Sequence, residues 1–366
     1  MRARADKLAG GVRSLAPVPL SNTLQQAWLK RGPLALALLP LSAVYGLLQG
    51  ARALLYRAGL LRSVRLQVPV IVAGNLLAGG VGKTPTVMAV VSLLRRHGYT
   101  PGILSRGHGR ANVDEILEVQ AATPATACGD EPKLLHLRTA APVVVGRNRV
   151  AAGRFLLHRH PEIDIIVCDD GLQHLALARD AQVIVFDERG VGNGWLLPAG
   201  PLREPFAARI PLRSIALYNA PQRSTPWPGS LGHRRLTGLV DLQAWWDRAN
   251  PAPVAPQSLQ GQPLIAAAGI ANPQRFFDML RECGLNFEEI ALPDHHAFSE
   301  LPWPRTAEHV VITEKDAVKI TPGRAGPTHI WVAALDFHVD AAFEAELMAL
   351  LPARPLRETA HGSPSA

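Results

Sequence analysis

Three glycines in four residues, Gly79, Gly80 and Gly82, run straight into Lys83 and Thr84, between a β-branched apolar run at 68–73 and a helix-patterned stretch at 84–97. A buried strand, a glycine turn and a helix with Pro85 near its start leave few architectures open. Glycines let backbone N–H groups turn inward onto anionic oxygens, and the helix N-terminus adds positive potential. Lys83 would then meet the β- and γ-phosphates of a nucleotide, and Thr84 would ligate Mg²⁺. The phosphate-binding segment is read as Leu77, Ala78, Gly79, Gly80, Val81, Gly82, Lys83 and Thr84, with ATP and Mg²⁺ as cofactors. It departs from a strict Walker A at Leu77, where that motif has glycine.

Period alternates along the rest of the chain. Apolar runs at 102–104, 142–145, 163–168 and 182–186 are separated by helical stretches such as 131–139 and 149–158, which predicts a parallel sheet with helices on both faces. Residues 221–232 (PQRSTPWPGSLG) read as a connector, after which strand patterns at 264–268, 287–292, 309–313 and 328–333 and a helical one at 273–283 predict a second, smaller α/β domain. A last helix is expected at 340–351, before a disordered tail. The expected organisation is therefore 1–60, a basic and apolar membrane-associated segment; 61–225, the P-loop domain; 226–340, the smaller domain; and 341–366, a helix and tail.

Lys and Arg outnumber Asp and Glu by 38 to 30, a net charge of +8. Such an excess suits nucleic acid, an anionic membrane or a phosphorylated substrate. The arginines are scattered and no reading head is visible, so nucleic acid is not expected as a partner. Three well-separated cysteines, Cys128, Cys168 and Cys283, show no disulfide framework and read as reduced thiols of a cytoplasmic protein. At 33–50 the eighteen residues PLALALLPLSAVYGLLQG are flanked by Lys30, Arg31, Arg52 and Arg57. A helix of that length reaches roughly 27 Å against a hydrocarbon core of about 30 Å. An interfacial helix fits better than a spanning one, with a buried core helix as the alternative.

The run IDIIVCDDG at 163–171 is a Walker B-like strand with Asp169 and Asp170 at its edge, although paired aspartates after a strand also make ordinary turns. Arg147 and Arg149 in G-R-N-R could hold a substrate phosphate, or simply start a solvated basic helix. Asp130, before KLLHL, is also a good helix N-cap. Partitioning and metallochaperone ATPases share G-G-x-G-K-T but carry lysine where this chain has Ala78; a switch ATPase of that type is the alternative reading.

Taken in order, Gly74-Asn75, the GGVGKTP loop, Ser105-Arg106-Gly107, Gly129-Asp130-Glu131-Pro132, DDGLQH at 169–174, LPAGPLREP at 197–205, Asp294-His295-His296 and TEKD at 313–316 resemble the tetraacyldisaccharide 4′-kinase family over nearly the whole chain. The resemblance implies transfer of the ATP γ-phosphoryl group to the 4′-hydroxyl of a tetraacylated glucosamine disaccharide 1-phosphate. It places this at the cytoplasmic face of a Gram-negative inner membrane, in lipid A biosynthesis. It also implies an N-terminal membrane-associated helix and two α/β domains flanking a cleft, with no obligate protein partner.

By the same resemblance, Thr84, Asp169, Asp170 and Glu204 belong to the metal region and Arg203 lies beside the transferred phosphoryl. Asp130 and His295 form the catalytic dyad with Lys83 at the phosphates, and Gln173 and His174 turn toward the substrate. One departure stands out. The family usually has tyrosine after Ser-Arg-Gly, and this chain has His108.

Overall fold

The computed structural model describes residues 27–247 and 252–352. The expected disordered tail and the start of the N-terminal segment fall outside these residues. Among them, twelve strands join in one continuous sheet.

The first lobe is built on β1 (Val70–Gly74), β2 (Pro101–Ser105), β3 (Leu117–Val119), β4 (Val143–Val145), β5 (Ile165–Asp169), β6 (Ala181–Phe186) and β7 (Ser214–Tyr218). All pair in parallel except β3 against β4. Alternate residues of each strand feed opposite cores, as the two-residue strand period demands. Ile71, Ile103, Val167 and Val183 meet Val87, Val90, Val91 and Leu94 of α3 (Lys83–Arg96) on one face. Val70, Val72, Ile166 and Cys168 meet Val150, Ala152 and Leu156 of α6 (Arg149–Arg159) on the other. Each large aliphatic side chain so buried contributes roughly 1.5–3 kcal/mol of transfer free energy.

The second lobe holds β8 (Gly229–Asp241), β9 (Leu264–Ala268), β10 (Glu288–Ala291), β11 (His309–Thr313) and β12 (His329–Val339). Its faces are covered by α7 (Leu242–Trp246) and α8 (Pro273–Glu282). Strand β8 belongs to both lobes: its first residues pair in parallel with β7 and the rest run antiparallel to β12. The segment 221–232 is therefore only partly a connector, because β8 begins at Gly229. Its glycines permit close contact rather than slack: a Cβ at Gly229 would lie 2.2 Å from the Ala216 carbonyl oxygen, and one at Gly232 would lie 2.4 Å from the Phe337 ring.

Two helices complete the frame that positions the site. α5 (Asp130–Thr139), preceded by α4 (Ala125–Cys128), is apolar on two sides. Leu135 enters the first-lobe core while Leu134 and Leu137 enter the second-lobe core. Arg138 of the same helix pairs with buried Glu314, at the start of α9 (Glu314–Ala317). At the C-terminus, α10 (Ala341–Leu350) returns to the first lobe, inserting Phe343 and Leu347 into its core.

The expected helix at 33–50 is α1 (Pro33–Ala37) followed by α2 (Leu39–Arg57), which runs a further turn or two beyond Gly50. No helix among the described residues is long and apolar enough to cross a membrane. Nor is α2 a buried core helix. Ser42, Tyr45 and Gln49 recur at helical spacing on its protein side; Ser42 Oγ donates to the Leu196 carbonyl at 2.6 Å and Tyr45 Oη to the Arg203 carbonyl at 2.7 Å. Leu41, Val44, Leu47, Leu48 and Leu54 are left exposed, Leu47 by 73% and Leu48 by 67%.

Because backbone cannot yield as a side-chain tip does, Gly229→Ala should destabilise the protein by about 1–3 kcal/mol. The expected reading is a lower denaturant midpoint at unchanged slope; an unchanged midpoint would show that β8 does not approach β7 so closely.

Candidate active site

The parallel pairing of β1 with β5 sets Ala73 opposite Asp169, and Asp170 N–H donates to the Ala73 carbonyl at 2.8 Å. The two chains then leave for opposite faces, α3 covering one and Leu172 and Leu177 packing on the other. That divergence opens the crevice at the C-terminal sheet edge where ligands of open α/β sheets bind. Gly79 (φ +97°) and Gly82 (φ +88°) take left-handed backbone as the loop turns into α3. Leu77 is buried in the core, and Ala78 N–H is held by the Pro201 carbonyl at 2.7 Å, so the start of the loop is anchored on the 197–205 block.

Lys83 is buried at the first residue of α3, with Thr84 half-buried beside it. Its Nζ donates to Asn75 Oδ1 at 3.2 Å and stands 3.7 Å from Asp170 Oδ1. Arg203 Nη1 donates to both Asp170 oxygens, at 3.0 and 3.3 Å, and to Gln173 Oε1 at 3.3 Å. Gln173 Nε2 in turn donates to Glu204 Oε1 at 2.9 Å. Burial works against the Asp170 carboxylate, but Lys83 and Arg203 outweigh it and hold the group below its ordinary range. Asp169 behaves oppositely. Burial, then the nearby charges of Glu131 and Asp170, push it up to about 7 despite Lys83 and a 3.0 Å hydrogen bond from Ser105 Oγ. Its Oδ1 is buried with no hydrogen-bond partner.

Across the crevice, Gly129 (φ +96°) occupies the N-cap of α5 without a side-chain cap, and Asp130 is the first helical residue. The N-cap reading of Asp130 is thus corrected: glycine takes the cap, and the carboxylate turns instead to His295. His295 Nδ1 lies 3.0 Å from Asp130 Oδ2. Burial disfavours the Asp130 carboxylate, yet the hydrogen bond from His295 and the Lys319 and Lys315 ammonium groups hold it below the ordinary range. His295 sits in left-handed backbone (φ +61°), a conformation costly for a non-glycine residue. Its N–H is fixed by Asp294 Oδ1 at 3.1 Å and by the Gly269 carbonyl at 3.2 Å. The His108 ring meets His295 edge-on, with centroids 5.8 Å apart, so His108 borders the Asp130–His295 pair.

This arrangement can neutralise a polyphosphate at one end and accept a proton from an alcohol at the other. Residues 34–361 match the family described as tetraacyldisaccharide-1-P 4′-kinase. The chain belongs to the tetraacyldisaccharide 4′-kinase family. It is 55% identical over 346 residues to a tetraacyldisaccharide 4′-kinase of Methylibium petroleiphilum, covering 93% of this chain and 96% of the relative. A tetraacyldisaccharide 4′-kinase of Leptothrix cholodnii is 52% identical over 339 residues, covering 92% and 97%. Among solved structures, the "apo" form of LpxK from Aquifex aeolicus in complex with ATP superposes with a TM-score of 0.73 at 26% identity, over 87% of this chain and all of that one.

In this member of the kinase family the residues expected on the substrate side separate. Arg147 is exposed, 3.5 Å from Asp114, and lines a cavity of about 500 Å³ with Arg106, His108 and Arg110. Arg149 is buried, donates to the Gly146 carbonyl at 2.6 Å, and lies within electrostatic range of Asp170 and His174. Sequence reasoning gave no role to Asn75, Ser105, Lys315 or Lys319. Lys315 Nζ is 3.3 Å from Asp294 and 3.4 Å from His295 Nε2, and Lys319 Nζ is 3.5 Å from Asp130. The signal for the first three was membership in the quoted motif blocks; Lys319 lay three residues past one.

His174 is pulled down to about 4, first by burial and then by Arg149, Arg52, Arg179 and Arg106. Between about 6.5 and about 4 the unfolded chain binds a proton that the folded one refuses. The stability His174 confers is therefore complete above about 6.5 and is lost as pH falls toward 4. Its ring resonances, assigned through His174→Gln, should stay unshifted from about pH 8 to about pH 5.5. A midpoint near 6.5 would refute the burial argument.

Proposed function

We propose that the chain transfers the γ-phosphoryl group of ATP to the 4′-hydroxyl of a tetraacyl disaccharide 1-phosphate, the step that its family's name describes, in lipid A biosynthesis. The observation that carries this is the pair of ionic clusters at one sheet edge, Lys83–Asp170–Arg203 and Asp130–His295, coupled through the charge of Glu131. A partitioning-type switch ATPase is not favoured, because the family match spans residues 34–361 and that class needs no second lobe bearing an imidazole.

Phosphoryl transfer asks for charge neutralisation and an acceptor held in line more than for covalent help. Lys83 and the loop amides would cradle the β- and γ-oxygens, and Arg203, already poised on Asp170, would meet the moving phosphoryl. The bond from the γ-phosphorus to the β,γ-bridging oxygen breaks as the bond to the sugar oxygen forms, and ADP leaves. The hydroxyl proton passes to the dyad. An ionised Asp130 requires the His295 proton on Nδ1, so Nε2 accepts from Lys315, and the Asp130 carboxylate would accept the proton of the alcohol.

Mg²⁺ fits the donor set: the orphaned Oδ1 of buried Asp169, the Asp170 carboxylate and the Thr84 hydroxyl are hard oxygens, with Glu204 at hand. The ion is usually held by one or two carboxylates with phosphates and water. The lack of a three-residue cluster among the described residues is compatible with that. When bound, it would supply further neutralisation of the phosphate oxygens. Gln173, His174, Arg147 and Arg149 are proposed to face the phosphorylated sugar.

The inner-membrane surface is the proposed place of action. Helix α2 reverses the usual amphipathic arrangement, its polar residues on the protein and its leucines outward, which supports burial of those leucines in an anionic lipid interface.

Lys83→Ala should lower transfer of labelled γ-phosphate from ATP to the disaccharide 1-phosphate by about 10²–10³-fold. Asp130→Asn should lower kcat by about 10²–10⁴-fold with little change in ATP affinity; unaltered turnover would remove Asp130 from the base role. Replacing both Leu47 and Leu48 by Asp should release the protein from vesicles containing anionic phospholipid in a flotation assay. Retention at the wild-type level would place the anchor elsewhere.

A further inference from the structure

Two arginines, Arg189 and Arg234, touch the phosphate loop, and a third, Arg275, lies within electrostatic range of Arg234. Arg189 Nε donates to both Asp187 oxygens, at 3.1 and 2.9 Å, and its Nη2 donates to the Gly80 carbonyl at 3.0 Å. Arg275 Nη2 lies 3.8 Å from Glu188 Oε1. Arg234 has no such partner. It stands on β8, opposite Phe337 of β12, where that strand passes from one lobe's sheet to the other. Its Nε is buried without a hydrogen-bond partner, and Asp187 is the carboxylate whose charge it feels. Asp187 attracts it from further off but is already engaged by Arg189.

The direction in which this guanidinium points is fixed by a glycine. A Cβ built on Gly82 would lie 2.1 Å from Arg234 Nη2 and 1.9 Å from Asn219 Nδ2. Asn219 clamps the loop by donating to the Val81 carbonyl at 2.9 Å. Arg234 therefore rests directly on the backbone of the residue that precedes Lys83. A charged N–H left dry and unpaired is unfavourable in a folded chain, and burial together with the Arg275 charge pulls Arg234 down to about 10. An anion with several acceptor oxygens would satisfy such a guanidinium, and the loop beside it is built to hold one.

We propose that Arg234 is a nucleotide-binding residue, a guanidinium carried by the strand shared between the lobes that engages the phosphate chain of ATP alongside Gly82. It would tie the grip on ATP to the same strand that orients the second lobe and its His295. The proposal rests on ATP use and not on the assignment of Asp130 as base.

The test compares the full-length wild type with Arg234→Met and Arg234→Lys. Arg234→Met should raise the KM for ATP and weaken ATP binding in calorimetry by about 10–100-fold, leaving the KM for the lipid acceptor near wild type. Without nucleotide its melting temperature should be equal or higher, because a buried N–H without a partner has been removed, while the upward shift produced by ATP should shrink. Arg234→Lys should recover part of the ATP affinity. Unchanged ATP affinity and an unchanged ATP-induced shift in Arg234→Met would overturn the proposal, whatever happens to the nucleotide-free melting point. Should Arg234→Met fail to fold, Arg234→Lys decides: weakened ATP binding at wild-type stability supports the role, and wild-type ATP binding overturns it.

Discussion

Hydrogen bonding between two neighbouring parallel strands is the constraint on which the rest depends. Once β1 and β5 are in register, Gly74 and Asp169 end at the same sheet edge, and the N–H of Asp170 is captured by the carbonyl of Ala73. No side-chain interaction could bring Lys83 within 3.7 Å of Asp170 if that register slipped, since a one-residue shift turns every side chain to the other face. The low-dielectric core beneath then makes each charge at the edge sensitive to its neighbours. The same burial leaves Asp170 ionised beside Lys83 and Arg203 but pushes Asp169 up to about 7.

The Asp130–His295 pair depends on a different kind of contact. Asp130 belongs to a helix packed into both cores, and His295 belongs to a loop of the second lobe. Their 3.0 Å contact exists only while the two lobes hold one relative position. Leu134, Leu137, the Arg138–Glu314 pair and the shared strand β8 all favour that position. Lys319, pinned by fully buried Asp316 at 3.0 Å, adds a charge that keeps the Asp130 carboxylate ionised.

The 197–205 block serves two neighbours at once. It carries Arg203 and Glu204 toward the crevice, and its backbone carbonyls receive the side chains of Trp28 and Tyr45. Tyr45 reaches the carbonyl of the same Arg203 whose guanidinium grips Asp170. A leucine-lined exterior and the crevice are thus a single residue apart.

Local pattern determined a good deal. Strands at 264–268 and 309–313 were legible to the residue because β-branched and small apolar runs bounded by turns have few other uses, and the glycine loop announced its own chemistry because only glycine tolerates φ near +90° there. Motif blocks named Asp130, His295 and Arg203 but could not say what faced what. Tertiary structure alone decided that Gly129 rather than Asp130 caps α5, that the glycines after 228 form a crowded strand rather than a linker, and that Arg149 is buried while Arg147 faces a cavity. It alone sets an unpaired Arg234 against Gly82, 152 positions away in sequence by simple subtraction. The physical reason is range: backbone preference and hydrophobic period act over a few residues, whereas burial and charge act through whatever the packed chain brings near.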